Sequence, residues 1–305
     1  MVSLKKYKKI VILSGGISDE REISNLTSKE VFKELKKDYD VTLINVTDNC
    51  QKLIESLLNN KPDIVFNCLH GFFGEDGQIQ SILNYLKIKY THSGVLTSSI
   101  LMNKEVSKKI FTSLGAKTPV SVSLDQIKKK QTKFPLIIKP VSGGSSNGLV
   151  KVNNANELDL FLKEHKYNKK SYIYENFING REITVGILDN KVCGIMEIVF
   201  DSELYDYKNK YIQIADHIIN PQIPSHIKEK LLKISIDVHK GTGCNCISRL
   251  DFRYEEKKDE VFLLEVNTQP GLTQNSLLPE MAKNNGISFN ELCKILIENS
   301  ICENL

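Results

Sequence analysis

Three oxygen-bearing side chains near the end of the chain, Asp251, Glu265 and Asn267, carry the strongest chemical signal in the sequence. Glu265 and Asn267 follow the apolar run Val261-Phe-Leu-Leu, which is too short for a helix and is succeeded at once by the breakers Pro270-Gly271. Residues two apart on an extended segment leave the same face, so both side chains could hold a hard divalent cation. Upstream, Ser248-Arg249-Leu-Asp251-Phe-Arg253 alternates polar with apolar, which puts Arg249, Asp251 and Arg253 on one face. The charged stretch from Glu255 to Glu260 then reads as a hairpin loop joining two paired strands. An isolated acid on a strand is more often a solvated one. Three oxygen ligands beside a guanidinium, however, suit magnesium shared with substrate phosphates. Thr273, Asn275 and Ser276, ahead of Leu277 and Pro279, add a loop rich in the donors that anion sites need. The set points to nucleotide phosphate chemistry.

Other candidates lie on loops between predicted elements. Phe134-Pro-Leu-Ile-Ile-Lys139-Pro140 is an apolar strand ending in a lysine, followed by Gly143-Gly144-Ser145-Ser146-Asn147-Gly148. Glycines let backbone amides approach oxygens closely, so this reads as a phosphate clamp with a cover, although a lysine ahead of its glycines is no Walker loop. Glu20 follows a strand and a Gly15-Gly16 turn, and His70 opens the loop His70-Gly71-Phe-Phe-Gly74-Glu75-Asp76-Gly77 after another strand. Glu20 could simply favour a helix dipole and His70 could bond to backbone. Both loops nevertheless stand where open α/β sheets bind ligands, beyond the strand C-terminal ends, and there Glu20 suits an amine. Glu175 and Glu182 flank the turn Asn179-Gly180, where one could accept from a purine amine and the other from ribose hydroxyls.

The elements that must position these residues follow from periodicity. Strands at Lys9–Leu13, Val41–Val46 and Ile64–Asn67, with a helical pattern at Leu53, Ile54, Leu57 and Leu58 between the last two, predict an open parallel α/β lobe over the first hundred residues. Asp19 and Glu22 have capping-box spacing at the first helix start. A helix is expected from Ser98 to Leu114, with Lys104 near its start, and then a strand-rich pattern that includes a hairpin about Asp189-Asn190. The polar and aromatic stretch Asp201 to His217 has the length of a lid. Ile227, Leu231, Ile234 and Val238 mark one face of a helix ended by Gly241.

Composition narrows the class. A chain of 305 residues with 41% hydrophobic content can bury a large core, and boundaries are expected near residues 100 and 187. A net charge of +4 from 41 basic and 37 acidic residues gives no basic face, so no nucleic acid is expected. The apolar run Ile10–Leu13 behind four early lysines is too short for a signal core or a membrane span, so no membrane association and a cytoplasmic location are expected. Seven scattered cysteines fit a reducing compartment, with Cys244 and Cys246 expected as buried apolar residues on a strand rather than metal ligands.

With these residues in hand, the chain resembles the D-alanine–D-alanine ligase family of ATP-grasp enzymes. The resemblance runs nearly end to end, on Gly15-Gly16-x-Ser18-x-Glu20-Arg21-Glu22, Leu69-His70-Gly71 with Gly74-Glu75-Asp76-Gly77, Lys104, Lys139-Pro140, Gly144-Ser145-Ser146-x-Gly148, Tyr205-Asp206-Tyr207 with Lys210-Tyr211, Arg249-x-Asp251 and Glu265-x-Asn267-Thr268-x-Pro270-Gly271. It implies an α/β fold of ATP-grasp architecture: an N-terminal parallel lobe over 1–102, a small central α+β lobe over 103–186 and a C-terminal α+β lobe over 187–305. It implies ATP-dependent ligation of two D-alanines through a D-alanyl phosphate for peptidoglycan synthesis, by a homodimer. In that scheme Lys104, Lys139, Ser146 and Lys210 hold phosphates, Glu175 and Ile178 meet adenine, Glu182 meets ribose, and Asp251, Glu265 and Asn267 bind two magnesium or manganese ions. Glu20 pairs with the ammonium of the first D-alanine, His70 binds substrate, and Ser276 with the Leu277 backbone holds the carboxylate of the second. Arg249 and the Gly271 amide stabilise the oxyanion, while Ser145 and Tyr211 latch the cover. Gly143, Asn147, Asn103 and Asn176 depart from the commoner family residues, which puts nucleotide affinity and cover stiffness in question. A D-lactate or D-serine ligase, or another ATP-grasp carboxylate-amine ligase, is the alternative, and Tyr211 favours an amine nucleophile.

Overall fold

The computed structural model describes residues 7–129, 132–144, 148–165, 171–200 and 215–303. Strands β1 (Lys9–Gly15), β2 (Asp40–Val46), β3 (Ile64–Asn67) and β4 (Lys89–Tyr90) form one all-parallel sheet in the order β2-β1-β3-β4. Ile10 to Leu13 and Ile64 to Phe66 are wholly buried, as continuous apolar runs become when helices cover both faces of a sheet. Those helices are α1 (Arg21–Leu35), α2 (Cys50–Asn60) and α3 (Gln78–Tyr85). The Glu20 and His70 loops therefore leave the same edge of the sheet, as expected.

Two local expectations fail for identifiable reasons. The Asp19–Glu22 capping box does not form, because Glu20 takes the N-cap position of α1 without a side-chain cap. Ser18 Oγ instead accepts the Glu20 N–H at 3.2 Å and donates to the His70 carbonyl at 2.6 Å, so it ties the two loops together. The single helix expected over Ser98–Leu114 is broken into α4 (Val95–Met102) and α5 (Lys104–Ser113). Asn103 between them is extended, and its side chain accepts from the Glu105 and Val106 N–H groups at 3.1 Å each, capping a new helix instead of continuing the old one. The break sets Lys104 in the first turn of α5.

The middle of the chain supplies α6 (Leu124–Lys128), β5 (Leu136–Pro140), β6 (Val150–Val152), α7 (Ala155–Glu164) and β7 (Tyr172–Asn176). Its sheet is antiparallel, in the order β6-β5-β7, and Glu175 faces Ile137 across it. A third sheet, β10-β9-β8-β11-β12, gathers β8 (Arg181–Leu188), β9 (Lys191–Val199), β10 (Asp216–Ile219), β11 (Ser248–Glu255) and β12 (Glu260–Asn267). The β8–β9 hairpin turns on Asp189 and Asn190, both at positive φ (51° and 58°), the conformation that a tight hairpin demands. Helix α8 (Ser225–Gly241) buries Ile227, Leu231 and Val238 against the sheet, and α9 (Leu277–Asn284) crosses its other side. Gly186 and Gly194 permit that crossing, since a Cβ on either would come within 3.0 Å of Met281. Helix α10 (Phe289–Glu298) packs on both α9 and α1. Cys244 and Cys246 are buried free thiols as expected, but on the loop between α8 and β11 rather than on a strand. Of the stretch read as a lid, residues 201–214 lie outside the described residues and Asp216 and His217 open β10.

Candidate active site

Pairing of β11 with β12 is the relationship that builds the site. Arg249 faces Asn267 and Asp251 faces Glu265, with a bulge between Asp251 and Phe252. Directly opposed residues carry side chains within about 5 Å of one another, so the two carboxylates share one end of a cavity. Asp251 is held on every side: Arg249 grips it through Nε at 2.9 Å and Nη2 at 2.8 Å, Thr184 Oγ1 donates at 2.7 Å and Asn267 Nδ2 at 3.0 Å. Bidentate, charge-assisted bonds fix orientation as well as charge. Because Asn267 donates through its amide nitrogen, its oxygen is left to point elsewhere. Carboxylate and amide oxygens alone are the donor set that a hard cation prefers, so the residues fit magnesium.

The cavity beside this pair is lined by Lys104, Lys139, Gly143, Gly144, Glu175, Ile178, Glu182, Asp251, Arg253 and Glu265, with Ile137, Leu149, Phe177 and Leu264 as apolar walls. Its lining combines apolar walls with several charged groups, a mix suited to a flat base and an anionic tail. Lys104 donates to the Gly143 carbonyl at 2.6 Å and stands 3.8 Å from Glu265. Lys139 lies 2.9 Å and Lys108 2.6 Å from the two oxygens of Glu175, which is 2% exposed. Burial pushes the Glu175 carboxyl up, but the charges of Lys139 and Lys108 outweigh it and hold its pKa below the usual range. Glu182 pairs with Arg253 Nη2 at 2.8 Å, and Arg253 Nη1 also donates to the Gly180 carbonyl at 2.8 Å.

A second pocket shares Gly144 with the first and is lined by Glu20, His70, Glu75, His217, Arg249, Asn267, Gln269, Gly271, Ser276 and Leu277. Its lining brings the carboxylates Glu20 and Glu75 together with the donors Arg249, Gln269 and Ser276, a set suited to an ammonium and a carboxylate. The Glu20 carboxylate lies against Gly71 and Gly144, where a Cβ would stand 2.5 and 3.1 Å from Oε2. His70 is buried, with Nε2 3.2 Å from Thr27 Oγ1 and Nδ1 3.8 Å from Glu75. Burial pulls its pKa down, but Glu75 and then Glu20 more than offset this, and the net shift is upward. Ser276 stands at the N-cap position of α9 without a side-chain cap bond, and its Oγ instead accepts the Thr273 N–H at 3.1 Å, next to the close approach of Gly271. The Leu277 N–H is one of the unpaired donors at that helix start.

Every candidate among the described residues lines one of the two pockets, and Arg249 with Asp251 joins the pockets. Ser145, Ser146, Lys210 and Tyr211 lie outside the described residues. Sequence reading missed Thr184, Glu75, Gln269, His217 and Lys108. Lys108 was within reach of it, standing one helical turn from Lys104, whereas Thr184 becomes visible only once β8 is paired with β11.

The family model described as D-ala D-ala ligase C-terminus matches residues 102–298. The D-alanine–D-alanine ligase of Pelagibacter ubique is 42% identical over 304 residues, covering 96% of this chain and 98% of the relative. Among solved structures, the Bacillus anthracis D-alanine–D-alanine ligase complexed with ATP superposes with a TM-score of 0.83 at 31% identity, covering 96% of this chain and 97% of that one. VanG, a D-Ala:D-Ser ligase from Enterococcus faecalis, gives a TM-score of 0.78 at 27% identity, with 96% and 99% covered.

Proposed function

The chain belongs to the D-alanine–D-alanine ligase family, and on that premise we propose that it makes D-alanyl-D-alanine from two D-alanines and ATP for peptidoglycan precursors. The carboxylate of one D-alanine attacks the γ-phosphate in line, giving an acyl phosphate and ADP, and the amine of the second then displaces phosphate. The observation that carries this reading is the Arg249–Asp251–Asn267 hydrogen-bonded chain between an elongated slot and an amine-and-carboxylate pocket. It sets a phosphate-bearing ligand and two small zwitterions around one guanidinium.

In this reading Lys104 and Lys139 meet phosphates, Glu175 and Ile178 the base, and Glu182 the ribose. Asp251, Glu265 and Asn267 would hold two magnesium or manganese ions, whose chemistry is to neutralise the phosphate charge. Glu20 pairs with the ammonium of the first D-alanine beside His70. Ser276 and the Leu277 amide take the carboxylate of the second. Arg249 and the Gly271 amide stabilise the tetrahedral oxyanion, a contribution worth several kcal/mol in acyl transfer, roughly 3 per donor. Ser146 and Lys210 on phosphates, and Ser145 with Tyr211 as a latch, complete the assignment from the family resemblance, and closure protects the acyl phosphate from water.

Lobes over 1–102, 103–186 and 187–305 are part of the proposal, supported by the three sheets, the third of which takes residues 181–188 as its strand β8. So are a homodimer and a cytoplasmic location; no helix among the described residues is long and apolar enough to cross a membrane. Phosphate release measured with D-alanine, D-serine and D-lactate at several pH values tests the substrate. Turnover that requires D-lactate or D-serine as the second substrate would overturn the assignment.

A further inference from the structure

Lys108, buried against Glu175, has no part in the assignments made so far. Glu175 forms part of the wall of the nucleotide slot, but Lys108 does not line that slot. It comes at Glu175 from behind, where it borders a separate groove with Lys109, Thr112, Ala116 and Tyr174. Lys108 is 5% exposed, and a charged lysine in such a place is destabilising unless its charge is answered. Its answering charge is Glu175 Oε1, at 2.6 Å.

Two details show how the carboxylate is held from both sides. On one side Lys108 Nζ and Glu175 Oε1 are both buried and answer each other as an ion pair at 2.6 Å, with no further hydrogen-bond partner for either atom. Meanwhile Lys139, on the slot side, occupies Oε2 at 2.9 Å. If Lys139 turns to a phosphate when nucleotide enters, Lys108 is the cation that remains on the carboxylate.

We propose that Lys108 is a positioning residue for nucleotide recognition: it holds Glu175 from behind, oriented to accept the exocyclic amine of an adenine base. The proposal rests on the assignment of Glu175 to the base made above. α5 then has a double role, with Lys104 and Lys108 one turn apart on the same face, the first at the phosphate end and the second behind the base. Burial and the neighbouring Lys139 pull the Lys108 pKa down to about 8, which leaves it mostly charged at neutral pH.

The test compares ATP with purine riboside triphosphate, which lacks the amine, in the wild type, Lys108→Met, Glu175→Gln and the double variant. Sites built to bond an N–H reject the analogue lacking it, so the wild type should favour ATP in kcat/KM by at least about tenfold. Lys108→Met should lose most of that preference with the KM for D-alanine unchanged, Lys108→Arg should keep it, and the double variant should discriminate no worse than Glu175→Gln alone. If Lys108→Met is insoluble, Lys108→Gln replaces it in the same cycle. An equal loss on both nucleotides, with the preference intact, would mean that Lys108 is structural and would overturn the proposal. Full preference in Glu175→Leu, measured alongside because leucine has no oxygen to accept the amine, would instead remove Glu175 from the base, a failure of the underlying assignment.

Discussion

Asn67 and Gln269 are joined by a 2.9 Å hydrogen bond across 202 positions of sequence. Gln269, 3% exposed, also donates to the Leu69 carbonyl, while Asn67 donates to the Gly74 carbonyl at 2.9 Å and accepts the Leu69 N–H at 3.1 Å. One buried amide pair thus fastens the segment that runs from the end of β12 at Asn267 to Gly271 against the loop that carries His70. The amine pocket is made from both loops, so its width is set by this fastening rather than by either sheet alone.

Gln269→Ala should therefore act on both stability and substrate binding. It leaves the Asn67 amide and the Leu69 carbonyl buried with one partner fewer, which costs about 1–3 kcal/mol for each group left unsatisfied. A lower urea midpoint together with a raised KM for D-alanine, at a nearly unchanged KM for ATP, is expected. If the KM for ATP alone rose, the fastening would not define the amine pocket.

Glu265→Ala should abolish D-alanine-dependent phosphate release while the far-ultraviolet circular dichroism stays that of the wild type. Glu265 is a half-exposed strand residue facing the cavity, so its removal spares the core but takes one carboxylate from the set with Asp251 and Asn267. Asp251, with Arg249, Thr184 and Asn267 all bonded to it, should respond differently: Asp251→Ala should also lower the melting temperature. Wild-type turnover by Glu265→Ala would count against the metal assignment.

Much of this arrangement was legible because it follows chain-local rules. The alternation of Arg249, Asp251 and Arg253 predicts a shared face, and the two pockets indeed meet along β11. What the chain order hides is set by pairing. Thr184 beneath Asp251 depends on the β8–β11 register, and Gln269 against Asn67 depends on how the segment after β12 meets the end of β3. Asn103 is an instructive case between these extremes. The apolar pattern runs unbroken through it, yet its side-chain oxygen competes for backbone N–H groups and ends one helix by starting another.

Gly74→Ala tests how tightly the His70 loop is packed. A Cβ at that position would lie 2.6 Å from Leu69 Cβ and 2.8 Å from the Leu69 carbonyl oxygen, so backbone must move. Overpacking of this kind costs about 1–3 kcal/mol. The variant should unfold at lower urea and bind D-alanine more weakly, because Leu69 and His70 shift together. Unchanged unfolding would show that the loop has room that these distances deny it.

Acid should destabilise the protein through His92, which lies fully buried next to His70. Burial, and then the neighbouring His70, push its pKa down to about 3 against an ordinary value of 6.5. The unfolded chain therefore takes up a proton that the folded one refuses, and stability falls as pH drops from about 6.5 towards 3, by up to about 1.4 kcal/mol per pH unit for one group. His239, lowered to about 4 chiefly by burial, works in the same sense and window. His70 works oppositely: its raised pKa gives stability that is complete below 6.5 and lost as pH climbs through the folded value. His92→Asn removes the titration and suits the positive φ of 77° at that position, which asparagine tolerates. Urea midpoints measured from pH 7 to pH 4 should fall less steeply in His92→Asn than in the wild type, and parallel curves would mean that the buried imidazole takes up its proton in the fold at the same pH as in the unfolded chain.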